Sequence, residues 1–219
     1  MQKIKKSALV AFFKQQNRTT GFIDNLKINY RPYICPFSEL LQQIPENTSL
    51  FDIGCGSGQF LLLVCAYRNP TSVMGIEISE TLIENAKQLL QPYGNDTSIQ
   101  LSVYDGDHLP ENICEFKFVT LIDVGHHIPP KKQVDFFKTL FSKMGPGATL
   151  LYKDINGASP LVFANKLHDL VFSGEIGNEL SQKKTLNIFE STGFKILSTS
   201  KKTMFWYPHF TIIAQKPTV

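Results

Sequence analysis

The residues with the most chemistry in this sequence stand where short apolar runs end. Asp52 is followed at alternate positions by Gly54, Gly56 and Gly58, and the chain resumes as Phe60-Leu61-Leu62-Leu63-Val64. An apolar run, a glycine turn and a run of helix formers read as strand, turn and helix. Glycine serves where the backbone takes positive φ or must lie bare against a ligand. The first turn of the new helix also offers unpaired N–H groups. Together these make a ligand cradle at the carboxyl end of a strand, where open α/β sheets bind ligands. Glu77 closes the next apolar run, and an acid there can accept both ribose hydroxyls of a bound nucleoside. Further on come Asp105, Asp123 and the pair His126-His127. Imidazole titrates near neutral pH and can orient a nucleophile or take its proton.

Two nucleotide motifs fail at the glycines. The dinucleotide fingerprint needs glycine where this chain has Gln59, and the P-loop needs a lysine that does not follow here. What stands is Asp-x-Gly-x-Gly-x-Gly, which resembles the first motif of class I S-adenosylmethionine (SAM)-dependent methyltransferases. Glu77 lies 19 residues past Gly58, as an acid does in that family. Val103-Tyr-Asp105-Gly106-Asp-His-Leu-Pro110 resembles the family segment gDaxxLP. Asp123-Val-Gly125-His126-His127 resembles the segment D-V-L-H-H of many small-molecule methyltransferases, with Gly125 in place of the usual leucine. Pro129-Pro130 comes too late for the [DNS]-P-P-[YFW] motif of many nucleic-acid and glutamine N-methyltransferases, and Lys131 follows it.

The resemblance covers roughly residues 48–155, and it implies the following. SAM is the cofactor and S-adenosylhomocysteine the product. Asp52, Gly54, Cys55, Gly56, Gly58, Glu77, Ile78, Asp105, Gly106 and Asp123 bind it, Asp105 at the adenine amine, with Asp107 as a substitute. His126 and His127 face the methyl group as the catalytic pair. Tyr33, Lys153 and Trp206 are the expected substrate-binding residues, with Tyr30 a further pocket candidate. Phe12, Phe13, Phe163 and Phe172 would add to an apolar acceptor site or pack in the core. The acceptor is expected to be small or lipid-like, with no nucleic acid and no metal. Protein methylation, or SAM binding without catalysis, are the alternatives.

These residues need a frame that brings strand ends together. Strands are expected at Thr71 to Ile76, Ile99 to Val103, Phe116 to Ile122 and Ala148 to Tyr152, besides the one before the glycines. Helices are expected from Ser79 to Leu90, Val134 to Phe141, Leu161 to Phe172 (bearing His168-Asp169) and Ser181 or Gln182 to Thr192. Strands alternating with helices imply parallel strands joined by right-handed crossovers. Ser38 is expected to cap a short helix, Glu39 to Gln43. Lys195 to Phe205 and His209 to Gln215 read as two last strands, turned by Trp206-Tyr-Pro208. The predicted fold is α/β: a doubly wound, mostly parallel seven-stranded sheet, helices on both faces, and an antiparallel C-terminal hairpin. One domain is expected, 1–219, with a cap at 1–45, a SAM-binding core at 46–155 and a substrate side at 156–219.

Composition agrees with a globular protein. Hydrophobic residues are 42% and charged residues 19% of the 219. A net charge of +3 is too small to argue for nucleic acid. Cys35, Cys55, Cys65 and Cys114 form no C-x-x-C, so reduced, cytoplasmic thiols are the simple reading. No apolar run approaches the roughly 20 residues that span a bilayer. Lys3, Lys5, Lys6, Lys14 and Arg18 precede the first acid, Asp24. This reads as a solvated basic face over packed Leu9, Phe12 and Phe13, though such a helix can also touch an anionic membrane surface.

Overall fold

The computed structural model describes residues 4–15, 31–162, 166 and 177–218. The strands are β1 Ser49–Ile53, β2 Ser72–Glu77, β3 Ser98–Val103, β4 Phe118–Ile122, β5 Thr149–Ile155, β6 Lys195–Met204 and β7 Tyr207–Gln215. The helices are α1 Lys6–Gln15, α2 Phe37–Gln43, α3 Gln59–Arg68, α4 Glu80–Leu90, α5 Gln133–Lys143 and α6 Gln182–Thr192. One seven-stranded sheet runs in the order β3-β2-β1-β4-β5-β7-β6. The pairs β2/β3, β1/β4 and β4/β5 are parallel, while β7 is antiparallel to both β5 and β6. Strand order reverses between β1 and β4, the switch point at which doubly wound sheets bind ligands. β4 is buried along its whole length, as a strand covered on both faces must be. The fold is the predicted one.

The chain separates into two compact units, Met1–Ser49 with Cys55–Tyr104, and Leu50–Gly54 with Asp105–Val219. In the first, α3 is apolar around its circumference and buried from Gln59 to Cys65. Phe37 of α2 stacks on Phe60 at 5.7 Å, and Phe13 of α1 reaches Phe37 at 6.4 Å. Buried Arg68 closes this layer by donating through Nε to the Leu41 carbonyl at 2.7 Å. α4 turns Ile83, Ala86 and Leu90 inward, and Ser79 caps it by accepting from Leu82 N–H at 3.3 Å.

In the second unit the core is aromatic. Phe137 of α5, Phe189 of α6 and Tyr152 of β5 meet edge-on, with centroids 5.0 to 5.6 Å apart. Ring edges on ring faces are the favoured aromatic geometry.

Several expected boundaries change. α2 begins at Phe37 without a side-chain cap, and the Ser38 hydroxyl donates to the Ile4 carbonyl instead. β5 runs on to Ile155, so Lys153 and Asp154 lie within the strand rather than after it. The hairpin turns at Phe205-Trp206, while Pro208 lies inside β7 opposite Thr203. Tyr30, Phe163, Phe172, His168 and Asp169, with most of the helix expected at 161–172, lie outside the described residues.

Candidate active site

The first unit holds most of the glycine turn. Gly56 has φ 54° and Gly58 has φ 76°, both left-handed. Their roles differ. A Cβ on Gly58 would stand 3.0 Å from Ala86 Cβ, so this glycine lets α3 and α4 approach. A Cβ on Gly56 would meet nothing within 4 Å, so its bare backbone faces open space. The Gly56 N–H donates to Glu77 Oε2 at 3.1 Å. Glu77 Oε1 accepts from Ile78 N–H at 2.9 Å and Ser79 N–H at 3.2 Å. The acid at the end of β2 thus pins the turn that follows β1. Cys55 is buried, and its N–H donates to the Ile76 carbonyl at 3.0 Å. Ile78 is exposed. Tyr33 is partly exposed, with the Lys6 ammonium 4.6 Å from its ring centre.

The second unit holds the other strand ends. Asp52 is buried in β1 and accepts from the Thr120 hydroxyl at 2.6 Å. Gly54 must be glycine for packing, because a Cβ there would lie 2.3 Å from Val124 Cγ2. Asp105 is exposed and forms its own turn: Oδ1 accepts from Asp107 N–H and His108 N–H, each at 2.8 Å, and Oδ2 pairs with His108 Nδ1 at 2.7 Å. The two backbone donors, then the imidazole, hold its pKa down at about 2. Gly106 supplies the positive φ, 88°, within that turn. Asp107 pairs with Lys132 at 2.7 Å.

At the ends of β4 and β5, Lys153, Asp154 and His126 are buried, while Asp123 is partly exposed. Asp123 takes φ 56°, rare for a non-glycine residue, and its carboxylate pairs with the Lys153 ammonium. Lys153 is 1% exposed. His126 is 4% and Asp154 1% exposed. Asp154 accepts from the His126 backbone N–H at 3.0 Å, from its ring Nδ1 at 2.6 Å, and from the Tyr152 hydroxyl at 2.9 Å. A carboxylate can only accept, so Nδ1 is the protonated ring nitrogen. Burial first, then the Asp154 charge, holds the Tyr152 phenol well above its ordinary pKa. A Cβ on Gly125 would stand 2.3 Å from the Tyr152 hydroxyl and 2.9 Å from Asp154 Oδ2. The glycine that replaces the usual leucine therefore makes room for this network. Gln133 braces the loop by donating to the Ile128 and Asn178 carbonyls at 3.2 and 2.9 Å.

The two histidines differ. His126 is buried and fixed, and its carbonyl accepts from Asn178 N–H at 2.7 Å. His127 is exposed, its ring centre 4.1 Å from that of His126. Trp206 lies in the exposed hairpin turn. Sequence reasoning assigns no role to Thr120, Gln133 or Tyr152, and places Asp154 after β5 without a partner residue for it. The signal for Asp154 was an acid next to an apolar strand, which has to find donors if the strand runs on over it.

The sheet order, the glycine turn at the switch point and the acids at successive strand ends define the class: a SAM-dependent methyltransferase of the class I, Rossmann-like fold. Residues 27–199 match the family described as "Methyltransferase domain", and the chain belongs to that family. It is an enzyme whose cofactor is SAM. It is 28% identical to a protein named carboxy-S-adenosyl-L-methionine synthase from Campylobacter jejuni, over 96% of this chain and 92% of the relative. A protein of the same name from Campylobacter lari is 20% identical over 96% and 97%. Among solved structures, magnesium protoporphyrin IX methyltransferase from Synechocystis, with bound SAH, aligns at TM-score 0.69 and 16% identity over 97% of this chain and 100% of that one. A SAM-dependent methyltransferase from Methanosarcina mazei aligns at 0.66 and 22% over 83% and 98%. Among the described residues no helix is long and apolar enough to cross a membrane.

Proposed function

We propose that this enzyme transfers a methyl group from SAM to a small or lipid-like acceptor, in the cytoplasm, where its cysteines, which form no disulfide, stay reduced. The residues fit the cofactor. Bare backbone at Gly56 faces open space, with the Glu77 carboxylate 3.1 Å from its N–H. Asp52, Gly54, Cys55, Gly56, Gly58, Glu77, Ile78, Asp105, Gly106 and Asp123 would hold it. When bound, SAM supplies a methyl group on a sulfonium, a reaction that depends mainly on alignment.

The observation that carries the reading is the difference between the histidines. His126 is locked by Asp154, so it positions the loop. His127 presents an exposed imidazole beside it and takes the acceptor's proton. Lys153, neutralised by Asp123, forms the buried wall at the end of β5. Turnover of SAM to S-adenosylhomocysteine with candidate acceptors, followed by mass spectrometry, tests this. Turnover with protein acceptors alone would move the enzyme to protein methylation. Tight SAM binding with no turnover would leave a regulatory module.

The relatives favour one second reading. They are named carboxy-SAM synthases and align over nearly their whole length. A SAM derivative heavier by one carboxyl group, formed in place of S-adenosylhomocysteine, would establish that reaction here.

A further inference from the structure

The turn between β6 and β7 carries two adjacent exposed aromatics. Phe205 is 61% and Trp206 47% exposed, with ring centroids 5.9 Å apart. Their neighbours Met204 and Tyr207 are buried and pair across the hairpin, so the tip is anchored and the rings stand outside it. Phe205 takes φ 53°, a left-handed conformation that suits glycine or asparagine and that a bulky side chain rarely adopts. Turn chemistry alone would not put an aromatic ring there.

Charge along the hairpin has one sign. From Lys195 to Val219 the chain has Lys195, Lys201, Lys202 and Lys216 and neither aspartate nor glutamate. Lys201 and Lys202 are exposed on β6, a few residues before the aromatics. The tip also has a defined place. Ile155 at the carboxyl end of β5 pairs with His209 of β7, so Phe205 and Trp206 lie past that end. Lys153 and Asp154 sit at the same end of β5.

We propose that this hairpin tip seats on an anionic phospholipid bilayer, Phe205 and Trp206 entering the headgroup layer and Lys201 and Lys202 meeting the lipid phosphates. Aromatic rings with an apolar body and a polar edge settle at the membrane–water interface. A single weak anchor gives marginal attachment, and apolar insertion combined with basic residues gives a usable one. The strand beside the tip is poorly suited to a second copy of the chain. β6 carries three lysines and a register irregularity between Ile196 and Ser198, both of which oppose edge-to-edge pairing.

Trp206 is the one tryptophan in the sequence, so its emission reports on the tip directly. The full chain is titrated with vesicles of phosphatidylcholine alone and of phosphatidylcholine with phosphatidylglycerol. The expected result is a blue shift and flotation with the anionic vesicles only, both lost at high salt. Lys201→Glu with Lys202→Glu should weaken binding by at least about thirtyfold, the combined share of two lysines near an anionic surface. Phe205→Ser should weaken it as well. Lys5→Glu with Lys6→Glu should leave it unchanged. Absence of a blue shift with anionic vesicles overturns the proposal, as does equal binding to both vesicle types. Loss of binding only in the Lys5/Lys6 variant overturns it in favour of the N-terminus. A blue shift that grows with protein concentration without vesicles assigns the surface to a second copy.

Discussion

Asp154 accepts both N–H groups of His126, the backbone one at 3.0 Å through Oδ2 and the ring Nδ1 at 2.6 Å through Oδ1. Both residues are buried, so neither donor finds water if the carboxylate is changed. Asp154→Asn puts an amide nitrogen against groups that are themselves donors. The expected cost is about 1–3 kcal/mol, the penalty for an unsatisfied buried polar group. Denaturant unfolding measures it, and unchanged stability would remove the bond from the account of the loop. His126→Ala should likewise destabilise. His127→Ala should leave stability alone and lower turnover about tenfold, which is close to 1.4 kcal/mol of barrier. Equal turnover in the His127 variant and the wild type would take the proton role from that ring.

Gly125 is explained by Tyr152. An added Cβ would stand 2.3 Å from the phenol oxygen. Gly125→Ala should therefore cost about 1–3 kcal/mol through overpacking. Tyr152→Phe removes the nearest of the clashing atoms and leaves Asp154 Oδ2 at 2.9 Å, so the double variant should be more stable than the two single costs imply. A double-mutant cycle measures the coupling. Additive losses would mean that the glycine answers to something other than the hydroxyl.

Glu77 holds the Gly56 N–H at 3.1 Å. Glu77→Ala should weaken SAM binding by about 1–3 kcal/mol, through the lost charged acceptor and the loosened turn. A Cβ added at Gly56 would meet no protein atom within 4 Å, so Gly56→Val places its branch toward open space and the strain lies in φ 54°. The expected outcome by calorimetry is a folded protein without measurable SAM binding. Normal binding would take Gly56 out of the cradle.

Much of this was legible in the sequence because local rules and tertiary needs agree there. The glycine turn, the Ser79 cap and the helices at 80–90 and 182–192 follow from breakers, caps and apolar spacing. The parallel, seven-stranded character of the sheet and its antiparallel end follow from strand–helix alternation together with the family resemblance. The misses share a cause. Lys153 and Asp154 read as loop residues because charge ends a strand pattern. They instead continue β5, since Asp123 neutralises one and His126, Tyr152 and Ile155 N–H saturate the other. Periodicity does not reveal partners 28 to 30 residues away. The turn expected at Trp206-Tyr-Pro208 stands at Phe205-Trp206 instead, because β7 accommodates Pro208 opposite Thr203.

The Asp105–His108 pair gives a test of the adenine role. Hydrogen bonds from His108 N–H, Asp107 N–H and the His108 ring hold Asp105 at about 2, below its ordinary 3.8. The same carboxylate raises His108 above its ordinary 6.5. A lowered acid contributes stability above pH 3.8 that is lost as pH falls through about 2. A raised histidine contributes stability below pH 6.5 that is lost as pH rises through the raised value. The turn is therefore best held between those limits. Asp105→Asn should bring the His108 titration, followed by NMR, back toward 6.5. If Asp105 also receives the adenine amine, saturating S-adenosylhomocysteine competes with the imidazole for Oδ2. The wild-type His108 pKa should then fall on ligand binding. A His108 titration that ignores the ligand, in a protein that demonstrably binds it, would leave Asp105 as a turn-forming residue and move the adenine contact to Asp107 or to backbone.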